Sequence, residues 1–202
     1  VPAFNAGETL ERCLTCICAA LGSRQDCEVI VVDDGSKDGT ADIARSFPAR
    51  LIVSEKNEGR IRAREKGARA ARSENLLFVD SRVLIPADTA RILESLDYES
   101  VMAGRVVPAG EGEGALDRLL FLIRKRIYSP ADRPDEAPGG AWLTAGNFDR
   151  TAKGMTCLAI GRRRFLEALP GNRSPYVNDD TRILAEVVQK KDILVSPELE
   201  VL

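Results

Sequence analysis

Apolar side chains along this chain alternate between two spacings, one typical of helices and one typical of strands. An amphipathic stripe predicts a first helix over residues 8–21. A nearly continuous β-branched run at residues 28–32 follows it, as expected for a strand that is buried on both faces of a parallel sheet. The residues of the helical stripe are Leu10, Leu14, Ile17 and Leu21.

The same alternation continues along the rest of the chain. Further strands are predicted at residues 51–53, 76–79, 101–107, 154–160 and 193–195. Further helices are predicted at residues 40–47, 60–72, 87–96, 115–128 and 163–169, and from residue 178 onward. Short connections between strands and helices favour βαβ units. The chain is therefore predicted to be an α/β protein with a mostly parallel central sheet flanked by helices.

The length of the chain fits one domain, and its composition excludes several classes of functional site. The 202 residues carry 29 basic and 31 acidic side chains, so no broad nucleic-acid-binding surface is expected. The chain contains no histidine, which excludes histidine triads, histidine zinc ligands and histidine bases. No apolar run approaches the roughly 20 residues of a membrane span. The first five residues look like a strand entering a loop, so we expect the natural protein to begin upstream.

The cysteines allow two interpretations. Five are present, and the odd count without a signal peptide favours reduced thiols and a cytoplasmic location. The cluster of Cys13, Cys16 and Cys18 is compatible with a metal or iron–sulfur site. It falls within a predicted helix, however, where neighbouring side chains point in different directions. Buried small side chains are therefore the favoured interpretation.

Aspartates follow two of the predicted strands directly. Asp33 and Asp34 come after the strand at 28–32, and Asp80 comes after the strand at 76–79. Any one of them alone is most simply a helix cap or a turn residue. Together they lie at the carboxyl ends of strands, the edge of an α/β sheet where ligands bind. The sequence therefore predicts a ligand site at this edge.

The order of the motifs resembles that of the family 2 glycosyltransferases. The resemblance is dense over the first ~85 residues and weaker from residue 154 to residue 181. The residues that carry it are Val1-Pro2-Ala3-Phe4-Asn5, the run from Val31 to Thr40, Asn57 and Gly59, Ala63, Arg64 and Gly67, Phe78-Val79-Asp80, and Asn178-Asp179-Asp180.

The resemblance implies an inverting enzyme with the GT-A fold. It implies one domain over residues 1–202, with a nucleotide-sugar-binding half at 1–107 and an acceptor and catalytic-base half at 108–202. The expected reaction moves one sugar from a nucleotide-diphosphate sugar, usually a uridine diphosphate sugar in this family, to an acceptor hydroxyl. Saccharide or lipid-linked acceptors of cell-envelope polysaccharide are expected, at the cytoplasmic face of the membrane.

The resemblance also implies a role for each matching residue. Asp80 would bind a divalent cation, Mg²⁺ or Mn²⁺, that bridges the diphosphate. Asp180 would be the general base, with Asp179 in place of the family's glutamate. Arg64 would lie near the nucleotide and diphosphate. The base and ribose would be held by Pro2, Ala3, Asn5, Asp33 and Asp34, and the diphosphate would also lie near Ser81 and Arg82.

Arg82 departs from the family pattern. It occupies the position of the second carboxylate of the family's Asp-x-Asp motif. An arginine cannot ligate a metal, but it can pair with a diphosphate. Four explanations are open: Arg82 partly replaces the cation's charge, Asp80 alone binds the metal, catalysis has been lost, or Arg82 is a surface residue. We expect a metal site weaker than the family's usual one.

Other features refine the function without deciding it. The Gln-x-x-Arg-Trp signature of processive synthases is absent, so transfer of a single sugar is expected. Trp142 is either an acceptor-site residue or a packing residue. The basic end of the helix at 115–128, Arg124-Lys125-Arg126, is either a membrane contact or a solvated surface, with the second favoured. The alternative functions are a nucleotidyltransferase and a non-catalytic nucleotide-sugar-binding domain.

Overall fold

The β-branched run near residue 30 forms the central strand of a parallel sheet. Strand β2 (Ile30–Asp33) lies between β1 (Pro2–Ala3) and β3 (Arg50–Val53). Pro2 pairs with Val32, and Val32 pairs with Ile52 on the other side. Val32 is almost completely buried, as the continuous apolar pattern predicts for a strand covered on both faces.

A second sheet of five strands contains both strand directions. Its order is β4-β7-β5-β8-β6. Among the described residues, β5 and β8 pair in parallel and the other neighbouring strands pair antiparallel. The short strand β6 is absent from the sequence-based prediction, and β8 is longer than predicted. The periodicity of side chains reports burial and not direction, which is why the antiparallel course of β7 is not readable from sequence. The strands are β4 (Asn75–Val79), β5 (Met102–Val106), β6 (Ala141–Leu143), β7 (Cys157–Gly161) and β8 (Ile193–Val201).

Helices cover these sheets through apolar stripes. In α1 the predicted side chains Leu10, Leu14 and Ile17 are buried. They belong to one apolar core cluster with Val31 of β2 and Val79 of β4. In α3 the small residue Gly67 lets the helix approach β2 closely, since a Cβ there would lie 3.4 Å from Cγ2 of Val32. The helices are α1 (Leu10–Leu21), α2 (Thr40–Arg45), α3 (Arg60–Ala70), α4 (Thr89–Glu94), α5 (Arg162–Glu167) and α6 (Asp179–Val188).

This computed structural model describes residues 1–94, 100–106, 141–146, 156–169 and 179–201. The predicted helix at 115–128, its basic end Arg124-Lys125-Arg126 and the predicted loop at 130–140 lie outside these ranges. No helix within them has both the length and the apolar character needed to cross a membrane.

The thiols of Cys13 and Cys157 are buried in the core. Burial raises the pKa of Cys13 to about 11 and that of Cys157 to about 12, so both are neutral thiols near pH 7. In the part of the chain that the structure describes, no three acidic, cysteine or histidine side chains form a metal-binding group. Cys13 therefore behaves as a small core side chain, the interpretation favoured from its position in a helix.

Gly35 brings the end of β2 into contact with the segment after β3. Its φ of +77° lies in the region that glycine adopts without strain. A Cβ at this position would lie 2.5 Å from the carbonyl carbon of Lys56. Only a residue without a side chain therefore allows these two backbone segments to meet.

Replacing Gly35 by alanine is expected to lower the free energy of unfolding by about 2–4 kcal/mol, because the methyl group meets backbone and the positive φ is strained. Gly39→Ala is the matched control, since its Cβ meets nothing within 4 Å. The control should cost less than about 1 kcal/mol. Urea unfolding measures both values, and equal losses in the two variants would contradict the explanation.

Candidate functional site

Asp33 ends β2 and closes the turn that follows it. Its Oδ1 accepts the backbone N–H of Ser36 at 3.0 Å, and its carbonyl oxygen accepts the N–H of Ser54 at 2.8 Å. The residue is almost completely buried. The carboxylate therefore supports the turn after β2, and its predicted contact with a base or ribose stays a prediction.

Asp34 holds the start of α3. Its carboxylate accepts the backbone N–H of Glu58 at 3.1 Å and that of Gly59, the residue before the helix, at 2.7 Å. The buried carboxylate accepts hydrogen bonds from backbone N–H groups at the start of the helix. Its negative charge also interacts favourably with the positive end of the helix dipole. Both oxygens of the Asp34 carboxylate therefore accept hydrogen bonds from the backbone before α3. The predicted contact of Asp34 with a base or ribose stays a prediction.

Hydrogen bonds from backbone N–H groups to side-chain oxygens join the loop after β1 to the loop after β2. Asn5 has a φ of +46°, donates its N–H to Oγ of Ser36 at 2.9 Å, and accepts the N–H of Lys37 on its own Oδ1 at 3.0 Å. Asp38 accepts the N–H of Gly7 at 2.9 Å. Hydrogen bonds, that from Thr40 first, lower the pKa of Asp38. The strand-end loops thus form one ordered surface.

Arg64 lies between two carboxylates that are far apart in the chain. Its Nη2 donates to Oδ1 of Asp80 at 2.6 Å, and its Nη1 donates to Oδ1 of Asp180 at 2.7 Å. The arginine side chain has no exposed surface, and those of Asp80 and Asp180 are 22% and 13% exposed. Arg64 therefore joins the end of β4 to the start of α6 by charge-assisted hydrogen bonds.

A second arginine faces the other oxygen of Asp180. Arg60 lies one turn before Arg64 on α3, and its Nε is 3.3 Å from Oδ2 of Asp180. Its side chain is 59% exposed, so this ion pair is screened by solvent and is weaker than the buried one. Asp180 thus has one firmly held oxygen and one loosely held oxygen.

The backbone of Asp80 is fixed on both sides. Its N–H donates to the carbonyl of Thr156 at 2.9 Å, and its own carbonyl accepts the N–H of Val83 at 2.9 Å and the thiol of Cys13 at 3.5 Å. Next to it, Ser81 is half-buried and Arg82 is exposed. The carboxylate is therefore presented from a rigid strand end.

The structure brings most of the predicted site residues into two groups. Pro2, Ala3 and Asn5 lie beside Asp33 and Asp34 at one strand end, because β1 pairs with β2. Asp80 and Asp180 meet through Arg64. Asp179 is the first residue of α6, and its side chain lies outside the described residues.

Sequence reasoning did not identify Arg60, and it included Phe4 in the Val1–Asn5 motif without a role of its own. Arg60 precedes Arg64 by four residues, the spacing that puts two side chains on one helix face, so the pattern could have identified it. Phe4 lies in the strand-end loop with 46% of its surface exposed. An exposed aromatic ring beside polar loop residues is typical of a ligand contact, which was the available signal.

Comparison with known proteins identifies a family that the chain matches. The model of Glycosyl transferase family 2 matches residues 1–137. The uncharacterized glycosyltransferase YfnE of Bacillus subtilis is 36% identical over 137 residues, which are 64% of this chain and 30% of that protein. Glycosyltransferase AglE of Haloferax volcanii is 31% identical over 85 residues, 40% of this chain and 28% of that protein. The matched residues thus cover less than a third of the length of each of these relatives.

Solved structures confirm the α/β fold of the GT-A type. TarS of S. aureus superposes with a TM-score of 0.68 at 17% identity, covering 98% of this chain and 57% of that one. The mannosyltransferase PcManGT of Pyrobaculum calidifontis, solved in complex with GDP-Man and Mn²⁺, gives a TM-score of 0.65 at 18% identity. That match covers 99% of this chain and 54% of the other.

Asp34→Ala is expected to lower the free energy of unfolding by about 1–3 kcal/mol, because the N–H of Glu58 loses its acceptor. The N–H of Gly59 loses one of two acceptors and keeps Oδ1 of Asn57 at 2.9 Å. Asp42→Ala is the control, since Asp42 forms only an exposed pair with Arg45 and should cost less than about 1 kcal/mol. Urea unfolding compares the two. A loss at Asp34 no larger than at Asp42 would show that the carboxylate does not hold the helix.

Proposed function

The chain belongs to glycosyl transferase family 2, and on that premise we propose that it is an inverting glycosyltransferase. It would move one sugar from a nucleotide-diphosphate sugar, with uridine as the nucleoside, to an acceptor hydroxyl. The observation that carries the proposal is the pairing of Asp80 and Asp180 through Arg64. This pairing joins a carboxylate at the strand ends to a second carboxylate that can act as a base.

Donor binding is assigned to the strand-end surface. Asp33 at the end of β2 is assigned to the nucleobase or ribose, and the loop from Pro2 to Asn5 borders the same edge. The exposed ring of Phe4 offers a face on which a base can stack. Among structures with the same fold, TarS is solved with UDP-GlcNAc and PcManGT with GDP-Man, which supports a nucleotide-sugar donor.

Asp180 is proposed to be the general base. It takes the proton of the acceptor hydroxyl while the hydroxyl oxygen bonds to the anomeric carbon. The bond from that carbon to the diphosphate oxygen breaks on the opposite face, so a single displacement inverts the centre. Because buried Arg64 holds Oδ1, we assign the proton to Oδ2, which exposed Arg60 faces at 3.3 Å. Base catalysis of this kind contributes about 10²–10⁴-fold. Asp179, the first residue of α6, is proposed to assist Asp180 in base catalysis.

The residues fit a divalent cation only weakly. Asp80 offers one carboxylate, Arg82 stands exposed at the position of a second, and Arg64 binds one oxygen of Asp80. Mg²⁺ and Mn²⁺ bind through as few as one or two carboxylates when phosphates complete the coordination. We therefore assign Asp80 as the protein ligand, with Ser81 and Arg82 beside the diphosphate. The cation, when bound, offsets the charge of the leaving diphosphate.

The acceptor and location follow from the family resemblance alone. We propose a saccharide or lipid-linked acceptor of cell-envelope polysaccharide, used at the cytoplasmic face of the membrane. Transfer of one sugar per encounter is part of the same proposal.

Donor turnover tests the proposal directly. A panel of UDP- and GDP-sugars with Mn²⁺ should include one that raises the melting temperature, because binding stabilises the native state. The same sugar nucleotide should release nucleoside diphosphate slowly with water as acceptor. Asp80→Ala should abolish this release. Asp180→Asn should retain donor binding and lower the rate by about 10²–10⁴-fold.

Asp42→Asn is the control for both variants, since Asp42 is exposed and remote from these contacts. Each variant must retain the far-ultraviolet circular dichroism of the wild type. Binding without any turnover would favour a non-catalytic nucleotide-sugar-binding domain, to which the exposed Arg82 would then contribute. Release of pyrophosphate instead of nucleoside diphosphate would favour a nucleotidyltransferase.

A further inference from the structure

Arg64 occupies the space between Asp80 and Asp180. One guanidinium nitrogen binds each carboxylate, at 2.6 and 2.7 Å, and both contacts use an Oδ1 atom. The guanidinium is a cation with several N–H donors, and the side chain has no exposed surface. A fixed positive charge therefore stands where two carboxylates converge.

A pair of converging carboxylates is also what a hard divalent cation binds. Mg²⁺ and Mn²⁺ prefer carboxylate oxygens, and two carboxylates without a cation between them repel each other. In this chain Arg64 and Arg60 balance Asp80 and Asp180, so these four side chains carry no net charge. Little electrostatic attraction remains there for a second cation.

Arg64 is also held firmly in this position. The start of its helix is bound by Asp34, and Gly67 on the next turn approaches Val32 of β2. Arg60 differs, because it is exposed and lies 3.3 Å from its partner.

We propose that Arg64 is a built-in cation of this site that competes with divalent metal ions for Asp80 and Asp180. Its removal converts the two carboxylates into a metal-binding pair. The inference rests on the proposed function in one respect, the assignment of Asp80 as a ligand of the metal ion. The effect on metal affinity is a property of the free protein and requires neither donor nor acceptor.

Mn²⁺ binding to the protein alone, measured by electron paramagnetic resonance, tests the inference. Wild-type protein should bind Mn²⁺ weakly. Arg64→Gln should bind it about tenfold more tightly or better, because one positive charge within a few ångströms is lost. Arg64→Gln combined with Asp80→Asn should return to weak binding. Arg69→Gln is the matched control, since Arg69 is a 63% exposed arginine of the same helix that pairs with Glu65.

Arg64→Gln leaves two carboxylates without their buried partner and can fail to fold. Arg64→Gln/Asp180→Asn is therefore prepared as well, because it keeps the net charge of the wild type. It should bind Mn²⁺ several-fold more tightly than Asp180→Asn alone. Circular dichroism and thermal unfolding in metal-free buffer identify which variants are folded.

The outcomes separate this inference from the proposed function. If Arg64→Gln binds Mn²⁺ no more tightly than Arg69→Gln does, the inference about Arg64 is wrong, even if the wild type transfers sugar. If the single variant does not fold, equal affinities of the double variant and Asp180→Asn overturn it. Tighter binding by the Arg64 variants supports it, even if no donor is ever turned over.

Discussion

One guanidinium, that of Arg64, holds together carboxylates from distant parts of the chain. It bonds Asp80 across 16 residues and Asp180 across 116 residues, with no surface exposed to water. Breaking a buried ion pair by removing one partner typically costs about 3–5 kcal/mol, since the remaining charge stays desolvated. The relative position of the strand end and the α6 start therefore depends on this side chain.

The position of Arg64 depends in turn on the end of β2. Asp34 binds the N–H groups that precede α3, and Gly35 lets the neighbouring backbone approach Lys56. These residues belong to the most recognisable motif of the sequence. In the structure, part of that motif supports the helix from which Arg64 projects. A turn motif can thus matter to the chemistry without every residue in it contacting a ligand.

The absence of histidine leaves carboxylates and arginines to form this site. Such a site has no side chain that titrates near neutral pH without perturbation, so geometry has to select the base. Asp180 is distinguished from Asp80 by the two arginines that face its separate oxygens. An exposed arginine can move away as a substrate arrives, whereas the buried arginine keeps the carboxylate oriented.

Local patterns in the sequence determined the elements and the strand-end aspartates. The stripe of α1, the β-branched run of β2 and the aspartates that follow β2 and β4 were all predictable, because each reflects periodicity or turn chemistry over a few residues. The family resemblance added the order of the motifs and, with it, the fold.

Only the tertiary structure decided what those aspartates contact. Asp34 bonds to backbone before α3, and Arg64 meets a carboxylate 116 residues away, contacts that no local pattern encodes. The strand β6 and the antiparallel direction of β7 were also unreadable, because side-chain alternation is the same in both directions. The sequence thus determined which charged groups lie at the sheet edge, and long-range packing decided how they pair.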